Sequence, residues 1–320
     1  RASQLKNRMN IRAILTPQIH DQQKTHIQPA SFWAVHRAMS FTTMSQLPGV
    51  GSHTHRFIND FTNNLPCYNI LLGHDRGSIP QTIRDFLQNP EQHASKTESK
   101  SVSGKPPLIS VIMPVFNGEN FIKAAVENVY KQNYPALELI IVDDGSTDRS
   151  RQIIENLPYD IRYFRQANSG PAAARNSGVR DASGSFIAFL DVDDLWPENN
   201  LSHLMEQFLV QPELMVVRGY AQLFTENEQG ETEYIGNPKE SFSDYIGAGI
   251  YRKEAFASVG LYDAGMRFGE DQDWFNRARE QKLPMKRLGE ITLLVRRHET
   301  NMTRGKNLLE LNTLKIFQKS

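Results

Sequence analysis

The chain has 320 residues and a mass of 36.5 kDa, and its 36 Lys plus Arg offset its 36 Asp plus Glu. Zero net charge removes the broad basic footprint of a nucleic-acid binder, so no nucleic-acid partner is expected. Cys67, the single cysteine, excludes an internal disulfide and a thiolate zinc cluster, and a reducing, cytoplasmic setting is expected.

Residues 1–93 read as an N-terminal segment of unassigned role. Residues 1–105 carry twelve Lys/Arg against six Asp/Glu, and seven of the nine histidines fall there. The segment is rich in Gln and Asn and poorly patterned. Helical spacing suggests two short helices, Ser31 to Met44 and Ile79 to Leu87. His53 and His55 lack tight ligand spacing and read as part of a solvated loop. The Ser/Lys-rich stretch 94–107 has linker composition. The chain begins Arg1-Ala2-Ser3 without a basic-then-apolar leader pattern, so no secretion signal is expected.

From residue 108 the texture changes to alternating strands and helices. Leu108 to Met113 is an apolar, β-branched run that predicts a buried strand. Phe121, Ile122, Ala125, Val126, Val129 and Tyr130 then mark one helix face. Leu137 to Val142, Ile161 to Phe164 and Phe186 to Leu190 predict three more strands, and a helix is expected over Leu195 to Val210. Such alternation means an open, largely parallel sheet. The apolar runs are far shorter than the roughly 20 residues needed to cross a bilayer, so no transmembrane span is expected. A peripheral membrane contact through the basic N-terminal segment is compatible with the charge distribution.

Ligands in open sheets bind beyond the carboxyl ends of the strands. Those ends carry Pro114-Val115-Phe116-Asn117-Gly118-Glu119, Asp143-Asp144-Gly145-Ser146-Thr147-Asp148 and Asp191-Val192-Asp193-Asp194. Three carboxylates within four residues repel one another unless a cation joins them; otherwise they form a solvated acidic turn. Hard oxygen ligands point to Mg²⁺ or Mn²⁺ shared with a phosphate-bearing substrate. At the second strand end an Asp can accept a base N–H while Ser146 or Asp148 caps the next helix. Arg175, in the Ala-rich helix after Gly170-Pro171, can reach a phosphate or remain a surface charge. Glu270-Asp271 opens a helix that runs to about Glu280. There Asp271 is either a dipole-favoured acid or a general base facing a cleft. His298 follows a strand over Ile291 to Val295 and has basic neighbours, which suit a metal or diphosphate contact.

In this order the motifs resemble the family 2 glycosyltransferases of the GT-A fold, over about residues 108–303. The resemblance implies an α/β domain over 108–320 with a Rossmann-like, mixed but mainly parallel sheet flanked by helices. It implies a metal-dependent, inverting transfer of a sugar from a nucleotide-diphospho-sugar, expected to be a UDP-sugar, to a saccharide or glycolipid acceptor in polysaccharide or glycoconjugate synthesis. Carried over residue by residue, it assigns the nucleotide to Pro114, Val115, Phe116, Asn117, Glu119, Asp143, Asp144, Arg175 and Asp191, with Asp144 preferred over Asp143 for the base. Mn²⁺ or Mg²⁺ falls to Asp193, Asp191 and the supporting Asp194, with His298 closing over the diphosphate. Asp271 is the expected base beside Glu270, and Gly247, Ala248, Gly249 and Trp274 fall on the acceptor side. Trp274 and Arg277 do not reproduce the Gln-x-x-Arg-Trp pattern of processive synthases, which favours a single-transfer enzyme. The alternatives are a metal-dependent phosphohydrolase, since Asp191-Val192-Asp193 also follows an apolar strand, and a non-catalytic nucleotide-sugar binding module.

Overall fold

The computed structural model describes residues 13–30, 35, 65–89 and 106–302, apart from 228, 230, 241–243, 267 and 300. Two compact units divide at Lys105 and Pro106. The linker stretch up to 105, His53, His55 and nearly all of the helix expected over Ser31 to Met44 lie outside the described residues.

The first unit contains strands that the sequence reading did not foresee: β1 (Ile14–Ile19), β2 (His26–Pro29) and β3 (Cys67–Leu72), in the order β1-β3-β2. Pro17 and Pro29 lie on the two outer strands, where a missing N–H breaks fewest ladder bonds. Helix α1 (Ser78–Gln88) matches the predicted Ile79 to Leu87. Its Phe86 packs with Ile27, Tyr68 and Ile70 in a small core, and its ring meets Tyr68 edge-on at 4.7 Å.

In the second unit, β4 (Ile109–Val115), α2 (Ile122–Lys131), β5 (Leu137–Asp143), α3 (Ser150–Glu155), β6 (Ile161–Arg165), α4 (Pro171–Asp181) and β7 (Phe186–Phe189) alternate as predicted. Then follow α5 (Asn200–Val210), β8 (Val216–Glu226), β9 (Thr232–Ile235), β10 (Gly249–Arg252), α6 (Lys253–Val259), α7 (Glu270–Glu280) and β11 (Met285–Arg296). The sheet runs β11-β8-β10-β7-β4-β5-β6, with β9 paired to β8. Only β10 and β9 run against their neighbours, so the sheet is mixed and mainly parallel, as the resemblance implied. None of the described helices is long and apolar enough to cross a membrane.

The helix expected from Leu195 starts five residues late, at Asn200. Leu195 instead bridges Leu294, and Pro197 disfavours helical backbone at Trp196. The acidic cluster therefore stands in a turn, not on a helix cap.

The sheet's central strands are buried on both faces. Ile112, Ile140, Val142, Ile187 and Phe189 join Trp274, Phe275 and Phe256 in one core. Helix α4 lies close to the sheet because its packing face is Ala172, Ala174 and Gly178. A Cβ on Gly178 would meet Ile112 Cγ2 at 2.4 Å. Helix propensity favours Ala over Gly by about 1 kcal/mol, but overpacking a closed core costs about 1–3 kcal/mol. Gly178→Ala is therefore expected to lower the urea midpoint, and an unchanged or higher midpoint would contradict this packing account.

Candidate active site

Loops at the carboxyl ends of β4, β5 and β7 come together with the start of α7 and the segment after β11. Pro114 and Val115 belong to β4 itself, not to the turn beyond it, and Val115 is buried. Phe116 is half exposed, and Asn117 adopts left-handed backbone with φ 53°. The Asn117 N–H donates to Ser146 Oγ at 3.0 Å, and its Oδ1 accepts the Thr147 N–H at 2.8 Å. Glu119 accepts the backbone N–H and the Nε of Arg149, which holds its carboxyl below the usual range. These bonds lace the first two strand-end loops together.

Asp143 is fully buried; it accepts the Ser146 N–H at 2.7 Å and the Tyr163 hydroxyl at 2.7 Å. Asp144 accepts Gln166 Nε2 and the N–H groups of Ser169 and Gly170, each at 2.8 Å. It thereby fixes the loop that enters α4. A carboxylate offers about four lone-pair positions, so Asp144 keeps capacity for one more donor.

Arg175 departs most from its expected role. It is 4% exposed and neither a surface charge nor an open phosphate ligand. Its Nη2 donates to both oxygens of Asp191 at 2.8 and 2.9 Å, and its Nη1 donates to Glu270 Oε1 at 2.7 Å. Asp271 Oδ1 lies 3.7 Å from Nη1. Despite burial, the carboxylates of Asp191, Asp271 and Glu270 hold the guanidinium well above its usual pKa. One cation thus joins the acidic turn after β7 to the start of α7, with Glu270 acting as a positioning residue.

Arg175 thus takes one contact on each oxygen of Asp191, whose side chain stays 39% exposed with lone pairs to spare. Asp194 is held differently. Its Oδ1 accepts the Arg296 N–H at 3.0 Å in a buried setting, where burial and the charges of Asp193 and Asp191 push its pKa well above the usual range. Asp193 Oδ2 instead lies 2.9 Å from His298 Nε2 and 3.2 Å from Asn301 Nδ2. No three-residue His/Cys/Asp/Glu metal cluster forms among the described residues. One carboxylate and one imidazole nevertheless fit a Mg²⁺ or Mn²⁺ ion that takes its remaining ligands from water and substrate phosphates.

Asp271 Oδ2 accepts the Ile246 N–H at 3.0 Å, whereas its Oδ1 is buried and takes no hydrogen bond among the described residues. Burial, opposed by Arg175 and reinforced by Glu270, pushes Asp271 up to about 7. A carboxylate so tuned can accept a proton near neutral pH.

Three of the four residues expected on the acceptor side are taken up by packing. Trp274 is completely buried, with its indole N–H on Gly260 O at 2.9 Å. Gly247, Ala248 and Gly249 are buried as well. A Cβ on Gly249 would meet Val217 O and Arg218 Cβ at 2.8 Å, and one on Gly247 would lie 3.2 Å from Leu293. Their small size serves strand packing; Ala248 alone also lines a pocket.

Two contributors escaped the sequence reading. Arg296 donates its Nε to Asp193 O at 3.0 Å and lies 5.6 Å from the Phe121 ring. Asn301 braces both Asp193 and His298. The signal for them was the Arg-Arg-His segment, but not its partners.

The chain is similar to known proteins over its second unit. The profile for Glycosyl transferase family 2 matches residues 110–257. The minor teichoic acid biosynthesis protein GgaA of Bacillus subtilis is 33% identical over 190 residues, 53% of this chain and 42% of that protein. An uncharacterized glycosyltransferase of Haemophilus influenzae is 42% identical over 145 residues, 44% of this chain and 56% of that protein. The chain thus spans about half the length of these curated relatives. The crystal structure of S. aureus TarS 1-349 in complex with UDP-GlcNAc superposes with a TM-score of 0.52 at 21% identity, covering 62% of this chain and 61% of that one; it shares the fold.

Proposed function

Residues 110–257 belong to glycosyl transferase family 2, and on that premise we propose that the chain transfers a sugar from a UDP-sugar to an acceptor hydroxyl with inversion. The observation that carries this reading is Asp271: a carboxylate 21% exposed, with one oxygen that takes no hydrogen bond among the described residues, raised to about 7 and tied through Arg175 to the acidic turn after β7. The role of the Bacillus relative in minor teichoic acid biosynthesis supports a place in the assembly of cell-surface polysaccharides or glycoconjugates.

In this mechanism Asp144 accepts the base N–H, and the β4 and β5 loops flank the nucleotide. Asp193 and His298 would hold a divalent cation, which when bound would neutralise charge on the leaving diphosphate. Arg175 keeps Asp191 and Glu270 fixed and limits the repulsion around Asp271. Asp271 Oδ1 takes the proton of the acceptor hydroxyl as that oxygen attacks the anomeric carbon. The bond from that carbon to the diphosphate oxygen breaks on the opposite face, and the nucleoside diphosphate leaves with the electron pair.

Calorimetric titration of UDP, GDP and TDP with and without Mn²⁺ tests the donor side. UDP is expected to bind in a metal-dependent manner, and Asp193→Ala is expected to weaken it about tenfold or more, the scale of losing one charge-assisted contact. Absence of nucleotide binding by the wild type under every condition would contradict the reading.

A further inference from the structure

We propose that the acceptor carries an oxyanion, a phosphate or a carboxylate, which docks on Arg218 and Arg287 beside Asp271; this rests on the sugar-transfer reading and names its second substrate. Asp244 lies two residues before Ile246, whose N–H holds Asp271, and its carboxylate is almost wholly buried. Three guanidinium groups from three different elements converge on it. Arg218 of β8 and Arg287 of β11 meet Oδ1, the latter at 2.9 Å, and Arg279 of α7 meets Oδ2. Among the described residues none of the three pairs with a second carboxylate, so about two positive charges stand uncompensated.

A purely structural ion pair needs one guanidinium for one carboxylate, and crowding like charges into a part-buried site is unfavourable. Burial and the neighbouring Arg287, against the pull of Asp244, hold the Arg218 guanidinium below its usual pKa. An added anion would relieve this. The rings of Phe275 and Tyr220 lie 4.4 Å from the Arg218 guanidinium and 5.4 Å from that of Arg287, which fixes both planes. The two arginines border a narrow recess with Tyr220, Pro238, Tyr245 and Ala248, in which Arg218 is buried and Arg287 is 38% exposed. Ala248 closes the 3-10 turn Ile246–Ala248 that begins at the Asp271 contact. The pocket shares no residue with the Asp193–His298 pair, so its anion is not the donor's diphosphate. Guanidinium forks match phosphate and carboxylate oxygens alike.

The test titrates sn-glycerol 3-phosphate, glucuronate and glycerol into the wild type and Arg287→Ala, with UDP as a reference ligand in both. An anionic probe is expected to bind the wild type and glycerol is not. Arg287→Ala should weaken the anion about tenfold or more, with the Kd for UDP moving less than twofold, and Arg287→Lys should recover part of the loss. Preference for glycerol 3-phosphate names a phosphate-bearing acceptor; preference for glucuronate names an acidic sugar. Failure of both anions to bind the wild type, or equal binding to Arg287→Ala, would overturn the proposal. Anion binding without any nucleotide binding would instead count against the sugar-transfer reading and leave the cationic site standing.

Discussion

Replacing Asp271 by Asn is expected to cut turnover about 10²–10⁴-fold, the range that a positioned general base contributes, while the Kd for the donor nucleotide stays within about twofold. The amide keeps an oxygen for the Ile246 N–H and nearly the same volume, so the fold should persist. What it loses is the ability to take a proton. The pH profile separates this from a structural effect. Burial and Glu270 raise Asp271 to about 7, so the wild-type carboxyl is protonated below that pH and cannot act as a base. Wild-type kcat/KM should therefore rise with pH, about tenfold per unit below pH 7, and level off above it. The residual activity of Asp271→Asn should lack that limb. A wild-type profile that is flat from pH 5 to 8 would contradict the assignment.

The second large effect concerns stability. Arg175→Ala leaves the buried Glu270 and the part-exposed Asp271 beside each other with no cation and releases Asp191, whose side chain is 39% exposed. Removing one partner from a buried ion network costs about 3–5 kcal/mol. For a unit of this size that is a fall in Tm of roughly 10 °C. Because Asp191 can rehydrate, the lower end of the range is expected. Arg175→Lys keeps the charge but loses the fork that reaches two carboxylates at once, so it should fall between wild type and Ala. Urea unfolding followed by circular dichroism measures both. A loss below about 1 kcal/mol for Ala would place the holding force for these carboxylates elsewhere.

The alternation from β4 to β7 was legible because β4, β5 and β7 centre on short apolar runs buried on both faces, and because α2 repeats its apolar residues at helical spacing. The late start of α5 was less visible: Leu195 is apolar enough for a helix, but its place is decided by the bridge to Leu294, 99 residues away in the chain. β1 to β3 were missed since their Gln, Asn and Pro residues dilute the alternation, and partner strands rather than local pattern make them strands. At the site, Asp271, Asp193 and His298 were picked out by motif and order. What the sequence could not display was who holds whom. Arg175 and Glu270 are 95 positions apart, as adjacent as any two side chains in the site and invisible to any local window. The same applies to Arg218, Arg279 and Arg287 around Asp244. Trp274 was misjudged for a related reason: its place on α7 suggested a cleft, but helical rotation turns it into the core, where it meets Tyr251 and Phe256.

The most direct test of sugar transfer with Asp271 as base is the release of nucleoside diphosphate from a panel of UDP- and GDP-sugars with Mn²⁺, comparing wild type with Asp271→Asn. The account predicts turnover by the wild type of at least one donor, faster with an anionic acceptor present, and a loss of about 10²-fold or more in the variant. Equal release by wild type and Asp271→Asn, with the nucleotide bound equally well by both, would contradict it.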